Sequence, residues 1–578
     1  MTTRGLKFSP LEVEQQPIPR LCHGLDRVLF NPGVYQLQDP RTRVFNFDPY
    51  LHKVLPVSEF NFKALQMFET PSQDSTLGDL AKRSKAKFYG STSSMTGMLK
   101  HFHFLLSQWR SLTFDMLSRT FDPKTRVFSQ FTKMPAAVFL RHRNGRYAID
   151  ADKYFDRQNI MSLLGHSLEK LLTLPSKEYD RYKLSHANGI TADEENQIPN
   201  SYHYTTAGSI LTRSQLDAHD PRLPGTGVFD IKTRAVVSIR AHGQTDHRAG
   251  LGYELRQEHG QWESFERELY DLTRNSMLAY SLQARLGRMD GIFMAYHNIE
   301  RIFGFQYLGL EDLDLALHGQ KDTFLGDEEF KLSLKLLQKV LTQVTDRFPQ
   351  QSVRLHFETR SLPAFMYIFA EPMEETEADA IQSRNKRKNE KLTKHLLGLE
   401  NGEEEEEDMD PDDVDEIAWQ KLRAKPEPDE SGRSHYSIIT GEKHPDIDGK
   451  KTRPLLALTL TIRNKVNGQA VQRPENPFAP GDKWKVEYSF SEIESARQAW
   501  ALYEATKKRR AEILDNEQEP YGLKEFRRQV VEFAKKGREW RAEQDRRDTE
   551  AVVFAPYDDG KGGARQGKKA KKSKDEWM

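Results

Sequence analysis

Residues Ser214 to Ala235 read SQLDAHDPRLPGTGVFDIKTRA. Two strand-like runs flank a turn rich in Pro and Gly, and Asp217, Asp230 and Lys232 lie in or beside them. A purely structural hairpin has no need of three strong charges near its middle. If 208–217 and 227–237 are antiparallel strands, side chains alternate between faces with period two. Val228, Asp230, Lys232 and Arg234 then share one face of the second strand, and Leu211, Arg213, Gln215 and Asp217 share one face of the first. Pairing of the strands brings Asp217 towards Asp230 and Lys232, the latter two about 6.6 Å apart along the backbone.

Two close carboxylates repel unless a cation lies between them. Two carboxylates, a backbone carbonyl (here that of Ile231) and waters suit a hard divalent ion such as Mg2+ or Mn2+. Such an ion lowers the pKa of water and offsets charge on a phosphate under attack. Lys232 is placed to orient that water or to meet the developing negative charge. Asp220 is the rival for the first acid; Asp217 is preferred because SQLD ends a strand pattern, whereas HDPR reads as a turn. An exposed Asp–Lys pair is common and stabilises by only about 0–1 kcal/mol. The second acid and the flanking helices are therefore what make the signal specific.

The surroundings read as mixed α/β. AAVFLRHRNGRYAID (Ala136–Asp150) is a hairpin whose Asn144-Gly145 pair suits a type I′ turn. Helices are expected over 94–121, 151–173 with the stripe Leu164, Leu168, Leu171 and Leu172, 262–286 with Gly287 as cap, and 327–346. Strands are expected at GIFMAYHN, IFGFQYLGL, SVRLHFET and FMYIFAEP. Ser491 and Glu494 form a capping-box pattern for a helix to about 514, and a basic helix is expected over 523–547. His101 and His103, two apart on a helix, face different ways and read as packing or surface residues rather than metal ligands.

The 578 residues hold 86 Lys and Arg against 86 Asp and Glu, but the balance is uneven. ENGEEEEEDMDPDDVDE (400–416) carries twelve acids and no base, which leaves 86 bases against 74 acids elsewhere. A basic body beside an acidic run fits a polyanion partner. The single cysteine, Cys22, excludes an intrachain disulfide framework. No apolar run reaches the roughly 18–20 residues of a membrane span. The first residues, with Glu12 and Glu14, do not read as a transit peptide.

The acid–acid–lysine set on a hairpin after a helix resembles the PD-(D/E)xK nuclease superfamily. IPRLCHGLDRVLFNPGVYQLQDPRTRVFNFDP (18–49), VSEFNFKAL (57–65) and the opening stretch are similar to one branch of it, the fungal mitochondrial mRNA-processing proteins that act in RNA 5′-end processing. The resemblance implies a nuclease-like core with a mixed central sheet flanked by helices. It also implies a mitochondrial, metal-dependent RNA nuclease acting as a 5′→3′ exonuclease, with the inner membrane and the transcription or RNA-decay machinery as neighbours. The alternative is a noncatalytic RNA-binding scaffold on the same fold, and a DNA substrate stays open. The family's helical glutamate corresponds to Glu169, and Tyr280 and Gln283 correspond to substrate-contacting positions. Leu216, not Pro, precedes Asp217.

Phosphate contacts dominate nucleic-acid affinity. The candidates are Arg213 and Arg234 with Gln215 on the inferred site face, Arg141, Arg143 and Arg146 on the Asn-Gly hairpin, and the run Lys507 to Arg510. The expected divisions are an N-terminal extension (1–135), the core (136–375), a disordered acidic insertion (376–432), strands and a helix completing the core (433–515), and a basic helix with a Lys-rich tail (516–578).

Overall fold

The computed structural model describes residues 1–66, 68–156, 159–197, 200–242, 250–396, 453–514 and 521–550. The acidic run 400–416 and the tail 551–578 lie outside these. The chain opens with β1 (Phe8–Leu11), β2 (Val34–Gln36), α1 (Ser75–Arg83), β3 (Phe88–Ser91) and α2 (Thr92–Leu106). Ser91 and Ser94 close a reciprocal cap at the start of α2. The helix stops well before residue 121 because Gln108 and Trp109 take positive φ, folding the Trp109 ring onto Phe104 with centroids 4.6 Å apart.

After α3 (Gln130–Lys133), β4 (Ala136–Arg143) and β5 (Arg146–Ala151) make the expected hairpin, with Asn144 and Gly145 both at positive φ. Then come α4 (Ile160–Thr173), α5 (Ser176–Asp180) and α6 (Ala192–Asn196). α4 starts nine residues later than expected because its cap is Asn159, while Asp152 is committed to Arg354, 2.7 Å away. The next strands are β6 (Tyr202–Ala207), β7 (Ile210–Gln215), β8 (Ala218–His219) and β9 (Val228–Ala235).

The helix expected over 262–286 is two. After α7 (Val237–His242) come α8 (Phe265–Asn275), capped by Ser264, and α9 (Met277–Gly287), parted at Ser276. Arg288 in the left-handed region, not Gly287, ends α9. β10 (Gly291–His297), β11 (Ile302–Gly309), α10 (Leu310–His318), α11 (Phe324–Arg347), β12 (Ser352–Ser361) and β13 (Ala364–Met373) follow. α12 (Glu375–Ser383) and α13 (Lys386–Leu396) occupy the start of the segment read as a disordered insertion. β14 (Leu456–Val466), β15 (Gln469–Val471), β16 (Trp484–Glu492), α14 (Ala496–Leu514) and α15 (Tyr521–Glu550) complete the described chain. Ser491 opens no helix: it pairs with Thr459 inside β16.

Where a single sheet was expected, the strands form two. The larger has eleven strands in the order β1-β6-β7-β3-β5-β4-β12-β13-β14-β15, with β16 also on β14. The smaller runs β2-β11-β10-β9-β8. Both are mixed, since β3 is parallel to β5 and β7, and β9 is parallel to β10. β7 and β9, read as partners, are in different sheets. Only Ala218 and His219 pair with β9, at Phe229 and Val228. Alternation along a strand fixes faces; it does not fix which neighbour the strand joins.

Residues before 136 are part of the core rather than an extension of it. β1 pairs with β6, β3 lies between β5 and β7, and β2 edges the smaller sheet. α2, α8, α9 and α11 share one continuous core with Ile210, Leu355 and Ile149 of the large sheet and Ile292, Met294 and Tyr296 of the small one. The opposite face of the small sheet, through Phe229, Ile231, Phe293 and Phe305, packs on the α4 leucines and the segment from Leu25 to Ala64. α4, the β7–β9 region and the helices after it follow in helix–strand–strand–helix order within a mixed α/β fold.

Candidate active site

The site forms where the chain passes from one sheet to the other. β7 ends at Gln215, and Leu216 donates its N–H to the Ser201 carbonyl, 2.9 Å, at the margin of the large sheet. The chain then joins the small sheet for two residues as β8. Asp217 is the link between them. It is 9% exposed, and its Oδ2 accepts from the Ile231 N–H at 3.0 Å. Because β8 covers only the first two residues of β9, the β9 edge beyond them is left to this carboxylate. A strand residue's N–H and C=O point to the same edge, so the Ile231 carbonyl also lies on the Asp217 side.

On β9, Phe229 and Ile231 enter the α4 core while Asp230 and Lys232 take the other face, as alternation requires. Lys232 Nζ is 2.6 Å from Asp230 Oδ2. It also lies 5.4 Å from the centre of the Tyr280 ring, which α9 supplies. α4 lies along β9, with Gly165 facing Thr233, and one turn later Glu169 joins the same electrostatic group. Glu169, Asp217, Asp230, Lys232 and Tyr280 thus come together from α4, the crossover, β9 and α9.

Three carboxylates around one ammonium leave excess negative charge. Burial, then Asp230 and Glu169, hold the Asp217 carboxyl well above the usual range, and it is hydrogen-bonded to Asp230. Burial also raises Glu169, with Asp230 adding to the shift and Lys170 and Lys232 opposing it. For Lys232, burial works against the charge, but the Asp230 and Asp217 carboxylates outweigh it and the ammonium is held above its ordinary value. A proton is what relieves the crowded acids here, and a divalent cation is the other species that does so. The donor set is all oxygen, carboxylates plus a backbone carbonyl, which fits Mg2+ or Mn2+.

Asp220, the rival acid, is elsewhere: Arg222 grips it through Nε at 2.9 Å and Nη2 at 2.6 Å. The candidate RNA-contacting arginines are not gathered at the site. Arg213 is 3% exposed, ion-paired with Asp74 and bonded to the Glu69 carbonyl at 2.8 Å. Arg234 is buried against Glu268, 2.9 Å. Arg141 pairs with Glu375 and Asp379, and Arg143 with Glu375. Arg146 donates to the Ala86 carbonyl, 2.6 Å. Lys507, Lys508, Arg509 and Arg510 pair with Glu504, Glu512, Glu358 and Asp152. Gln215 keeps its place on β7, paired with Tyr202. Gln283, on α9 one turn after Tyr280, has a buried Oε1 with no hydrogen-bond partner.

The sequence reading missed a second polar cluster, His103, His318 and Glu329, all buried. His101 and His103 do face apart. His101 bonds Thr359 and the Met134 carbonyl, whereas His103 meets Glu329. Its partners lie on α10 and α11, so no local spacing could have revealed it.

A family model described as "Mitochondrial protein Pet127" matches residues 68–342, a span that contains Glu169, Asp217, Asp230, Lys232, Tyr280 and Gln283. The mitochondrial mRNA degradation protein pet127 of Schizosaccharomyces pombe is 40% identical over 354 residues, 60% of this chain and 66% of that protein. PET127 of Saccharomyces cerevisiae, provisionally named a mitochondrial translation system component, is 41% identical over 328 residues, 53% of this chain and 39% of that protein. The chain therefore spans less than two thirds of the length of either relative. Among solved structures, Rai1 of Candida albicans with pU5 and Mn2+ aligns over 68% of this chain and 100% of that one, at 10% identity and TM-score 0.31. Rai1 of Scheffersomyces stipitis with (3'-NADP)+ and calcium aligns over 69% and 99%, at 10% identity and TM-score 0.29. Likenesses so slight carry no functional argument. The sequence relationship is of another order: the match to the family model runs through the whole helix–crossover–strand–helix region that assembles the site, and there the chain is similar to the Pet127 mitochondrial proteins.

Proposed function

We propose that this protein is a metal-dependent phosphodiester hydrolase acting on mitochondrial RNA, as a 5′→3′ exoribonuclease. The observation that carries the proposal is the buried facing of Asp217 and Asp230 beside Lys232. The printed name of the fission-yeast relative, an mRNA degradation protein, supports RNA as the substrate.

Asp217, Asp230 and the Ile231 carbonyl would hold the divalent ion, with Glu169 at its margin. The ion would supply positive charge to acidify water and to neutralise the phosphate. Lys232, fixed by Asp230, orients the nucleophilic water and offsets charge developing on phosphate oxygens. Tyr280 flanks the lysine, and the unpartnered Gln283 Oε1 offers an acceptor to a sugar hydroxyl or base. The arginines first expected to guide RNA are engaged in ion pairs within the fold, so phosphate contacts would come from other residues. RNA polymerase, the RNA-decay machinery and a membrane surface remain proposed partners. No helix among the described residues is long and apolar enough to cross a membrane.

End-labelled single-stranded RNA bearing a 5′-monophosphate or a 5′-triphosphate, incubated with the protein and Mg2+ or Mn2+, tests the reading. Mononucleotide release from the 5′ end supports it, whereas RNA binding without cleavage under any of these conditions favours the scaffold. Glu169→Gln is expected to lower cleavage by about 10–100-fold, the scale for groups that orient a metal site.

Stability supplies a readout independent of RNA. Below the ordinary carboxylate pKa of about 4, Asp217 is protonated whether the chain is folded or not. Above it the unfolded chain releases the proton while the fold retains it, so stability falls as pH rises through this window. In chelator at pH 7, Asp217→Asn should therefore be about 1–2 kcal/mol more stable than wild type. The gap should close below about pH 4. Thermal unfolding at several pH values measures it, and equal melting temperatures throughout would remove the electrostatic basis of the site.

A further inference from the structure

His103 on α2, His318 at the end of α10 and Glu329 on α11 present three ligand atoms within 4.8 Å of one another. The cluster lies across α9 from the acids described above: Tyr280 of that helix meets Lys232, whereas Ser281 and Arg285 line the side towards the histidines. All three residues are buried, and aromatic rings close around them, with Phe104 and Phe128 on His103.

We propose that His103 Nδ1, His318 Nε2 and Glu329 Oε1 form a structural site for one zinc ion. Two of the three ligands, His318 and Glu329, are oriented from behind. His318 Nδ1 is 3.1 Å from Asp314 Oδ1, and Asp314 is itself held by Arg285 at 2.5 Å. A carboxylate on the far nitrogen of an imidazole fixes the tautomer that leaves the other nitrogen's lone pair facing a metal. With Nδ1–H donated to Asp314, His318 Nε2 is an acceptor 3.6 Å from Glu329 Oε1, another acceptor. Two acceptors face each other favourably only when a positive species lies between them. Arg110 takes the second oxygen of Glu329, at 3.4 Å, which leaves Oε1 for the histidines.

Two imidazoles and a carboxylate suit zinc, whose fourth position takes water. A cavity of about 10 Å3 adjoins the cluster, lined in part by Ser281 and Ser333, and it matches the space of one water. All three ligands are buried, which suits a structural ion rather than one that meets substrate. Bound there, zinc would tie α2 to α10 and α11 and brace α9, the helix that carries Tyr280 and Gln283. The competing occupant is a proton on His318.

The full-length chain, produced with zinc in the medium and desalted, should carry about one zinc per chain by plasma mass spectrometry. The ion should persist in Asp217→Asn/Asp230→Asn, which separates it from the proposed nuclease site. His318→Gln or Glu329→Gln should lower zinc content by about 10-fold or more. Because these variants can lose the fold along with the metal, wild type is also stripped and reloaded with Co2+. Tetrahedral visible absorption, bleached by added Zn2+, is expected, together with a melting temperature that falls on stripping and recovers on reloading. A metal-free chain with no cobalt spectrum and no shift in melting temperature would assign the cluster to the proton. Iron or manganese in place of zinc would overturn the zinc assignment, as would zinc retained in full by folded His318→Gln.

Discussion

Asp230→Asn and Lys232→Ala are each expected to lower RNA cleavage by at least about 10³-fold while leaving RNA affinity within a few-fold of wild type. Asp230 serves two partners at once. It is bonded to the Asp217 carboxyl and lies 2.6 Å from Lys232 Nζ. Amidation removes the charge that holds a divalent ion and frees the ammonium from its fixed place. Lys232→Ala removes the cation that three carboxylates share. Residues acting as one unit are not additive, so the double variant should be no slower than the worse single one. Single-turnover cleavage with excess protein, beside filter binding in chelator, separates the chemical step from affinity. Cleavage that survives in both variants at the wild-type rate would place the reaction elsewhere or in a contaminant.

The elements around this site were legible because local physics fixes them. Asn144-Gly145 needs positive φ, and Leu164, Leu168, Leu171 and Leu172 repeat at helical spacing and are all buried. Of the stretches that carried the family resemblance, 214–235 lies within the span matched by the Pet127 family model. Alternation along β9 correctly set Asp230 and Lys232 opposite Phe229 and Ile231. What stayed hidden was long-range. Nothing in Gln215-Leu216-Asp217 announces that the chain leaves one sheet for another there. The break at Ser276 is equally silent, since the apolar spacing on either side continues. Arginines posed the largest problem. A basic side chain on a strand reads as a phosphate contact until its carboxylate is found, and Glu268, Glu375 and Asp74 lie 34, 234 and 139 positions from Arg234, Arg141 and Arg213.

Arg213→Met is therefore expected to destabilise the protein by about 3–5 kcal/mol and to leave RNA affinity per folded molecule unchanged. The guanidinium is 3% exposed and ion-paired with Asp74, bonds the Glu69 carbonyl at 2.8 Å, and lies over Tyr202 at 4.9 Å. Removing it strands a buried carboxylate, and most of the loss comes from that uncompensated charge rather than from the vanished bond. Asp74 also caps α1, accepting from the Leu77 N–H at 2.8 Å. Asp74→Asn preserves an acceptor for that cap while removing the charge. Arg213→Met/Asp74→Asn should accordingly recover a large part of the stability that Arg213→Met loses, giving a coupling energy of about 1–3 kcal/mol in a double-mutant cycle. Urea unfolding of the four proteins supplies the cycle, and RNA binding at low and moderate salt supplies the control. Affinity that drops in Arg213→Met with a shallower salt dependence, at unchanged stability, would mean that this arginine reaches phosphate after all, and that β7 faces the RNA rather than α1.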